Sequence, residues 1–175
     1  MTGRQGFAVW ITGLPASGKS SITRELVNRL EQAGIFPVVL ESDVLRSIVT
    51  PRATYRQEER DRFYLQMAQI GALLVHQGGS VIFDATANRR IYRDQARALI
   101  APFIEVFVQC PLDVCRGRDP KGIYAAAADG KAANVPGVQA VYEPPRVPEL
   151  TVECRDIPGD NAGRIIAFLR QIHCI

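Results

Sequence analysis

The stretch Gly13-Leu14-Pro15-Ala16-Ser17-Gly18-Lys19-Ser20, GLPASGKS, decides the fold. It fits the pattern G-x-x-x-x-G-K-[ST], which carries meaning only when a strand precedes it and a helix follows. Both flanks are present. Phe7 to Ile11 (FAVWI) is an apolar run that predicts a buried strand. Lys19 to Gln32 places Ile22, Leu26, Val27 and Leu30 on one helical face, with Gly34 to end it. Gly13 and Gly18 let the backbone curl so that successive N–H groups point inward. Those groups and the helix N-terminus form an anion cradle, lined by Leu14, Pro15, Ala16, Ser17 and Ser21. Lys19 is placed to reach the β- and γ-phosphates, and Ser20 to offer its hydroxyl to Mg²⁺. The expected ligand is ATP.

Working outward, short apolar runs alternate with amphipathic stretches. Further strands are expected at Pro37 to Leu40, Ser80 to Phe83, Phe103 to Val108 and Leu150 to Glu153. Helices are expected at Tyr55 to Gln77, Arg89 to Ile100, a short stretch from Pro111, and Asn161 to Ile172. Strands alternating with helices imply a parallel sheet covered on both faces. The fold class is therefore α/β, a three-layer P-loop fold with a five-stranded parallel sheet and helices on both faces. Residues 119–147 are rich in Gly, Ala, Pro and Lys and too long for a plain connection, so they are expected to form a lid. No linker or repeat interrupts 1–175, which reads as a single domain.

Composition excludes several classes. Of 175 residues, 47% are apolar and 22% charged, and the net charge of +3 is too small to argue for nucleic acid. No apolar run of about 18 residues suggests a membrane span, and the N-terminus lacks a signal-peptide layout. The four cysteines, Cys110, Cys115, Cys154 and Cys174, show no paired spacing and are expected to be reduced thiols of a cytoplasmic protein. A switch GTPase would need a base-reading N/TKxD motif, which is absent.

Phosphoryl transfer to a hydroxyl needs a carboxylate to orient the hydroxyl and accept its proton. The stretch LESDVLR puts Asp43 and Arg46 just beyond the second strand, beside the cradle. Asp43 reads as that base or as the N-cap of the short helix that follows. Arg46 reads as an anchor for an anionic acceptor or as half of a surface ion pair. Glu41 either supports the Mg²⁺ shell or is solvated. Asp84, ending the third strand, could hold Mg²⁺ through water; it also keeps a plain NTPase reading open. Arg89, Arg90 and Arg93 oppose the dipole of the helix they start, which invites either a phosphate or sulfate partner or plain solvation.

The residues from 7 to about 150 resemble the adenylylsulfate (APS) kinases. The most specific piece is PLDVCRGRDPKGIYAAAADGKAANVPGVQAVYEPPRVPEL, Pro111 to Leu150. It is similar to the family's RDPKGLY stretch, its basic lid with N-F-T-G-[IV], and its Tyr-Glu near a proline-rich turn, which appear here as Arg118 to Tyr124, Asn134 to Val138, and Tyr142-Glu143. The family's D-G-D-N-[IV]-R falls on Glu41 to Arg46, and its G-F-S-x-x-D-R on Thr54 to Arg60. Its S-P-x-R-x-x-R falls on Ala87 to Arg93, keeping Arg90 and Arg93.

The resemblance implies transfer of the γ-phosphate of ATP to the 3′-hydroxyl of adenosine 5′-phosphosulfate, giving PAPS, with Asp43 and Lys19 in the chemistry. It implies Asp43, Arg46, Tyr55, Arg60, Thr86, Lys121 and Val135 on the acceptor side, Arg118 on the ATP side, and a homodimer. Three departures stand out. Phe63 replaces an acceptor-contacting Asn, Val135 replaces a stacking Phe, and Ser42 replaces a Gly. They motivate an alternative acceptor, a different anionic nucleotide or metabolite such as a cytidine diphosphoramidate-type compound. A nucleotide-binding module without kinase activity is a further reading, opposed by the presence of Lys19, Ser20 and Asp43.

Overall fold

Five short strands, β1 (Ala8–Thr12), β2 (Val38–Glu41), β3 (Val81–Asp84), β4 (Phe103–Gln109) and β5 (Leu150–Glu153), pair in parallel in the order β2-β3-β1-β4-β5. A computed structural model provides this description, which covers residues 5–175. The single-domain expectation also covers residues 1–4, which lie outside the described residues.

The helices are α1 (Lys19–Gln32), α2 (Ser42–Val49), α3 (Gln57–His76), α4 (Arg90–Leu99), α5 (Leu112–Arg118), α6 (Ile123–Ala128) and α7 (Pro158–Gln171). Alternation along β1 sorts the two faces of the sheet. Val9 and Ile11 pack with Ile22, Leu26 and Leu30 of α1 and Ile165 and Leu169 of α7. Ala8 and Trp10 pack with Phe63 and Met67 of α3, Tyr92 of α4, and Phe83. Trp10 stacks on Phe83 with centroids 4.5 Å apart, and its indole N–H donates to the Ala85 carbonyl at 3.2 Å. The central strand is thus pinned from both sides, which fixes where its carboxyl end delivers the Gly13–Ser20 loop.

The expected lid is more ordered than its composition suggested. Its IYAAAA run forms α6, and Cys115, Tyr124, Ala127 and Val135 make a small third core beneath it. The lid is tied down where Tyr124 donates its hydroxyl to the Pro15 carbonyl at 3.0 Å.

One expectation fails. Cys110 and Cys154 are not reduced thiols but form a disulfide, with Cα atoms 5.2 Å apart; Cys115 and Cys174 are free and buried. The cause is sheet register. Gln109 of β4 lies opposite Glu153 of β5, so the next residue of each strand faces the other. A separation of 44 residues hides that adjacency in the sequence. No helix among the described residues is long and apolar enough to cross a membrane.

Candidate active site

A cavity of about 940 Å³ opens beyond the carboxyl ends of β1, β2 and β3, where parallel α/β sheets bind ligands. All the expected site residues line it except Gly13 and Leu14, which lie behind the cradle. Their carbonyls accept hydrogen bonds from Lys19 Nζ, at 3.2 Å and 2.8 Å. A Cβ at Gly13 would sit 2.8 Å from both Ser17 Oγ and the Val108 carbonyl oxygen, so only glycine fits there. Gly18 has φ 102° at the N-cap of α1, a left-handed conformation that glycine tolerates. No side chain caps α1, and the buried Ser17 hydroxyl has no partner. A helix N-terminus with free donors suits phosphate. Burial pushes the Lys19 ammonium below the ordinary lysine value, and the Asp84 and Asp43 carboxylates oppose that shift. On the other wall, Arg118 donates to the Cys154 carbonyl at 2.7 Å and the Ser17 carbonyl at 3.5 Å.

Asp43 stands in the first turn of α2 but does not cap it. Its carboxylate instead accepts a hydrogen bond from Lys121 Nζ of the lid at 2.7 Å, and Glu41 lies 3.8 Å from the same ammonium. That bond raises the Lys121 pKa above its ordinary value. Arg46 is buried, not a surface ion pair. Its guanidinium carbon sits 3.7 Å from the Phe63 ring centroid and 5.1 Å from that of Tyr55. Its nearest carboxylate, Glu59, is 3.6 Å away. Thr86 follows β3, and its carbonyl accepts from Thr12 Oγ1, at the end of β1, at 2.7 Å.

Arg60 is already occupied within the protein. It donates to the carbonyls of Tyr55 (3.1 Å) and Asn134 (2.7 Å) and to Asn88 Oδ1 (3.3 Å), joining α3 to the lid. Val135 reaches the cavity from the lid core and is only 4% exposed. Tyr55 takes a left-handed φ of 55°. Glu59 holds it there, accepting from the Thr54 and Tyr55 backbone N–H groups at 2.7 Å and 3.0 Å. Those bonds, first that from Thr54, keep the Glu59 carboxyl below its usual range. Sequence reasoning gave Glu59 no role, although it holds the Asp position of the family stretch that falls on Thr54 to Arg60 and sits in the first turn of α3.

The arginines that start α4 do not await an anion. Arg89 pairs with Asp61 (3.2 Å), Arg90 with Glu143 (3.6 Å), and Arg93 with Glu105 (2.6 Å). Arg93 also donates to the carbonyls of Ala87 and Glu143. Glu143 accepts from the Arg90 N–H at 2.9 Å, so the helix receives its negative charge from a residue 53 positions away.

Ser20, Asp43 and Asp84 face one cavity and are hard oxygen donors, which fits Mg²⁺. No cluster of three His, Cys, Asp or Glu side chains among the described residues would hold a metal alone.

The chain matches the adenylylsulphate kinase family model over residues 5–153. An adenylyl-sulfate kinase from Rippkaea orientalis is 38% identical over 152 residues, covering 87% of this chain and 83% of the relative. One from Gloeothece citriformis is 38% identical over 172 residues, covering 97% of each. Among solved structures, a Mycobacterium tuberculosis APS kinase in complex with AMPPNP and APS superposes with a TM-score of 0.89 at 31% identity. It covers 95% of this chain and 98% of that one. A shikimate kinase from Acinetobacter baumannii shares the fold, with a TM-score of 0.66 at 14% identity. The chain belongs to the adenylyl-sulfate kinase family, ATP-dependent enzymes that phosphorylate a hydroxyl group.

Proposed function

We propose that the γ-phosphate of ATP, seated on Gly13–Ser21, passes to the 3′-hydroxyl of adenosine 5′-phosphosulfate. One observation carries the reading: Asp43 and Arg46, from the end of β2, face the same cavity as Lys19 and Ser20. The two halves needed for in-line transfer are a cationic phosphate cradle and a carboxylate beside an anion-binding arginine. Asp43 orients the acceptor hydroxyl and takes its proton. Lys19 stabilises charge on the transferring phosphoryl group. Arg118 flanks the ATP base. Arg46, Tyr55, Thr86 and Lys121 hold the acceptor, and Val135 closes over it. Arg60 contributes by fastening the lid above the acceptor. Ser20, with Asp84 behind it, would hold Mg²⁺, whose chemistry is to neutralise the phosphate oxygens. The lid keeps water from the phosphoryl group. A cytoplasmic location is supported by the ATP requirement and opposed by the Cys110–Cys154 disulfide, which is atypical of a reducing compartment, and family resemblance supports a homodimer.

Two observations favour a second reading, a related kinase for another anionic nucleotide. Phe63 offers no hydrogen bond where a polar contact is expected, and Val135 supplies no second ring. The test is ADP release from Mg-ATP by purified protein with and without micromolar APS, with the product identified by mass. PAPS formation supports the first reading. No stimulation by APS, from protein that binds ATP, overturns it in favour of the second.

A further inference from the structure

A buried arginine that must grip an anion needs its guanidinium held still, yet its N–H groups must stay free. Hydrogen bonds to protein carboxylates would satisfy the first need and defeat the second. Arg46 is 6% exposed, lines the cavity, and has no hydrogen-bond partner at Nη1. Glu59 stands 3.6 Å away, too far for a hydrogen bond. Its oxygens are spent on Thr54 and Tyr55.

What touches the guanidinium is aromatic. Its central carbon is 3.7 Å from the centroid of Phe63, 5.1 Å from that of Tyr55 and 5.9 Å from that of Tyr64. A cation within about 6 Å of a ring centroid is attracted by the negative face of the ring, most strongly where water is excluded. Phe63 is the nearest ring by more than an ångström, and it is 1% exposed. It is also rigidly seated, with an edge contact to Tyr64 at 5.2 Å between centroids and a place in the core beneath the sheet.

We infer that Phe63 is a positioning residue for acceptor binding. Its ring face holds the Arg46 guanidinium against the cavity wall without consuming a donor, so that the guanidinium N–H groups other than the buried Nη1 address the anionic group of the acceptor. The inference rests on the reading that the acceptor is APS. It also explains how a phenylalanine serves at a place where a polar contact is otherwise expected. The direct contact is lost, and a better-aimed cation takes its place. Phe63 touches no substrate in this account; it acts through Arg46.

The test uses two variants of the full chain. Phe63→Met keeps apolar volume and removes the ring face. Replacing Phe63 by 3,4,5-trifluorophenylalanine keeps the ring and its shape but drains its negative face. Steady-state kinetics are measured separately for APS and ATP. Phe63→Met is expected to raise KM for APS about tenfold, with KM for ATP and kcat within about twofold. The fluorinated ring is expected to raise KM for APS about threefold or more without lowering the thermal midpoint. A fluorinated protein with unchanged KM for APS overturns the inference, even if Phe63→Met misfolds. So does a parallel rise of KM for both substrates, which would mark a general packing role. Wild-type protein that shows no APS-dependent turnover overturns the acceptor reading itself, and this inference with it.

Discussion

Replacing Asp43 by alanine separates chemistry from architecture, because the structure sets the two costs far apart. In the fold, Asp43 does two things. It pairs with Lys121 at 2.7 Å, with side chains 62% and 56% exposed. An ion pair that open contributes about 0.2–1 kcal/mol. It also places a negative charge in the first turn of α2, which adds about 0.3–1 kcal/mol. The stability loss should therefore be about 0.5–2 kcal/mol, a shift of only a few degrees in the thermal midpoint. Loss of a general base lowers transfer at least about 10²-fold, or roughly 2.7 kcal/mol of barrier. The assay pairs ADP release at saturating ATP and APS with calorimetric ATP binding and a thermal melt. The expected result is a folded protein with near-normal ATP affinity and a turnover number down about 10²-fold or more. Turnover within about threefold of wild type would refute the role given to Asp43. Collapse of the fold at 25 °C would refute the account of Asp43 as a weakly tied surface carboxylate.

Other expectations follow from the same geometry. Lys19→Ala should lower turnover by about 10²–10³-fold and weaken ATP binding, read by the same kinetics and calorimetry, because the cradle loses its one buried ammonium. Backbone donors hold the Glu59 and Glu143 carboxyls below 4.5, so their contribution to stability is present above that pH and is lost as pH falls through the folded values. Urea unfolding from pH 7 to pH 3 should trace that loss, and Glu143→Gln should flatten its acid limb. Reducing the Cys110–Cys154 bridge, which closes a 44-residue loop, should cost about 2–4 kcal/mol in urea unfolding; Cys110→Ser should then be insensitive to reductant.

Much of this was legible in sequence because the phosphate half is local. Strand, glycines, lysine and helix follow one another within Ala8–Gln32, and α1 takes the predicted bounds. Three strands begin one residue later than expected, at Ala8, Val38 and Val81, because the ladder is set by partners, from Ala8↔Val81 and Val38↔Val81 through to Glu41↔Asp84, and not by where apolarity starts. Asp84 and Glu41 are consequently strand residues that carry the sheet edge into the cavity. Helix α7 starts at Pro158, three residues before the predicted Asn161, as a proline in the first turn permits. Helix α6 has only six residues, too few to show a period. The acceptor half was readable only residue by residue. Its organisation depends on contacts between distant segments: Lys121 on Asp43, Arg60 on the Asn134 carbonyl, and Glu143 on the Arg90 N–H. Sequence spacing gives no hint of those pairings, nor of the opposed ends of β4 and β5 that join two cysteines.

The lid lysine on the carboxylate of β2 has an electrostatic consequence. A bare carboxylate is a poor neighbour for a doubly charged guest; at about 4 Å, like charges near a protein surface repel by several kcal/mol. Lys121 Nζ, 2.7 Å from Asp43 Oδ2 and 3.8 Å from Glu41, offsets part of the negative charge that an arriving anion meets. Because both partners are largely solvated, the tie is loose enough to be exchanged. The lysine can turn from aspartate to the incoming anion and leave the carboxylate uncovered at the moment a hydroxyl arrives to use it.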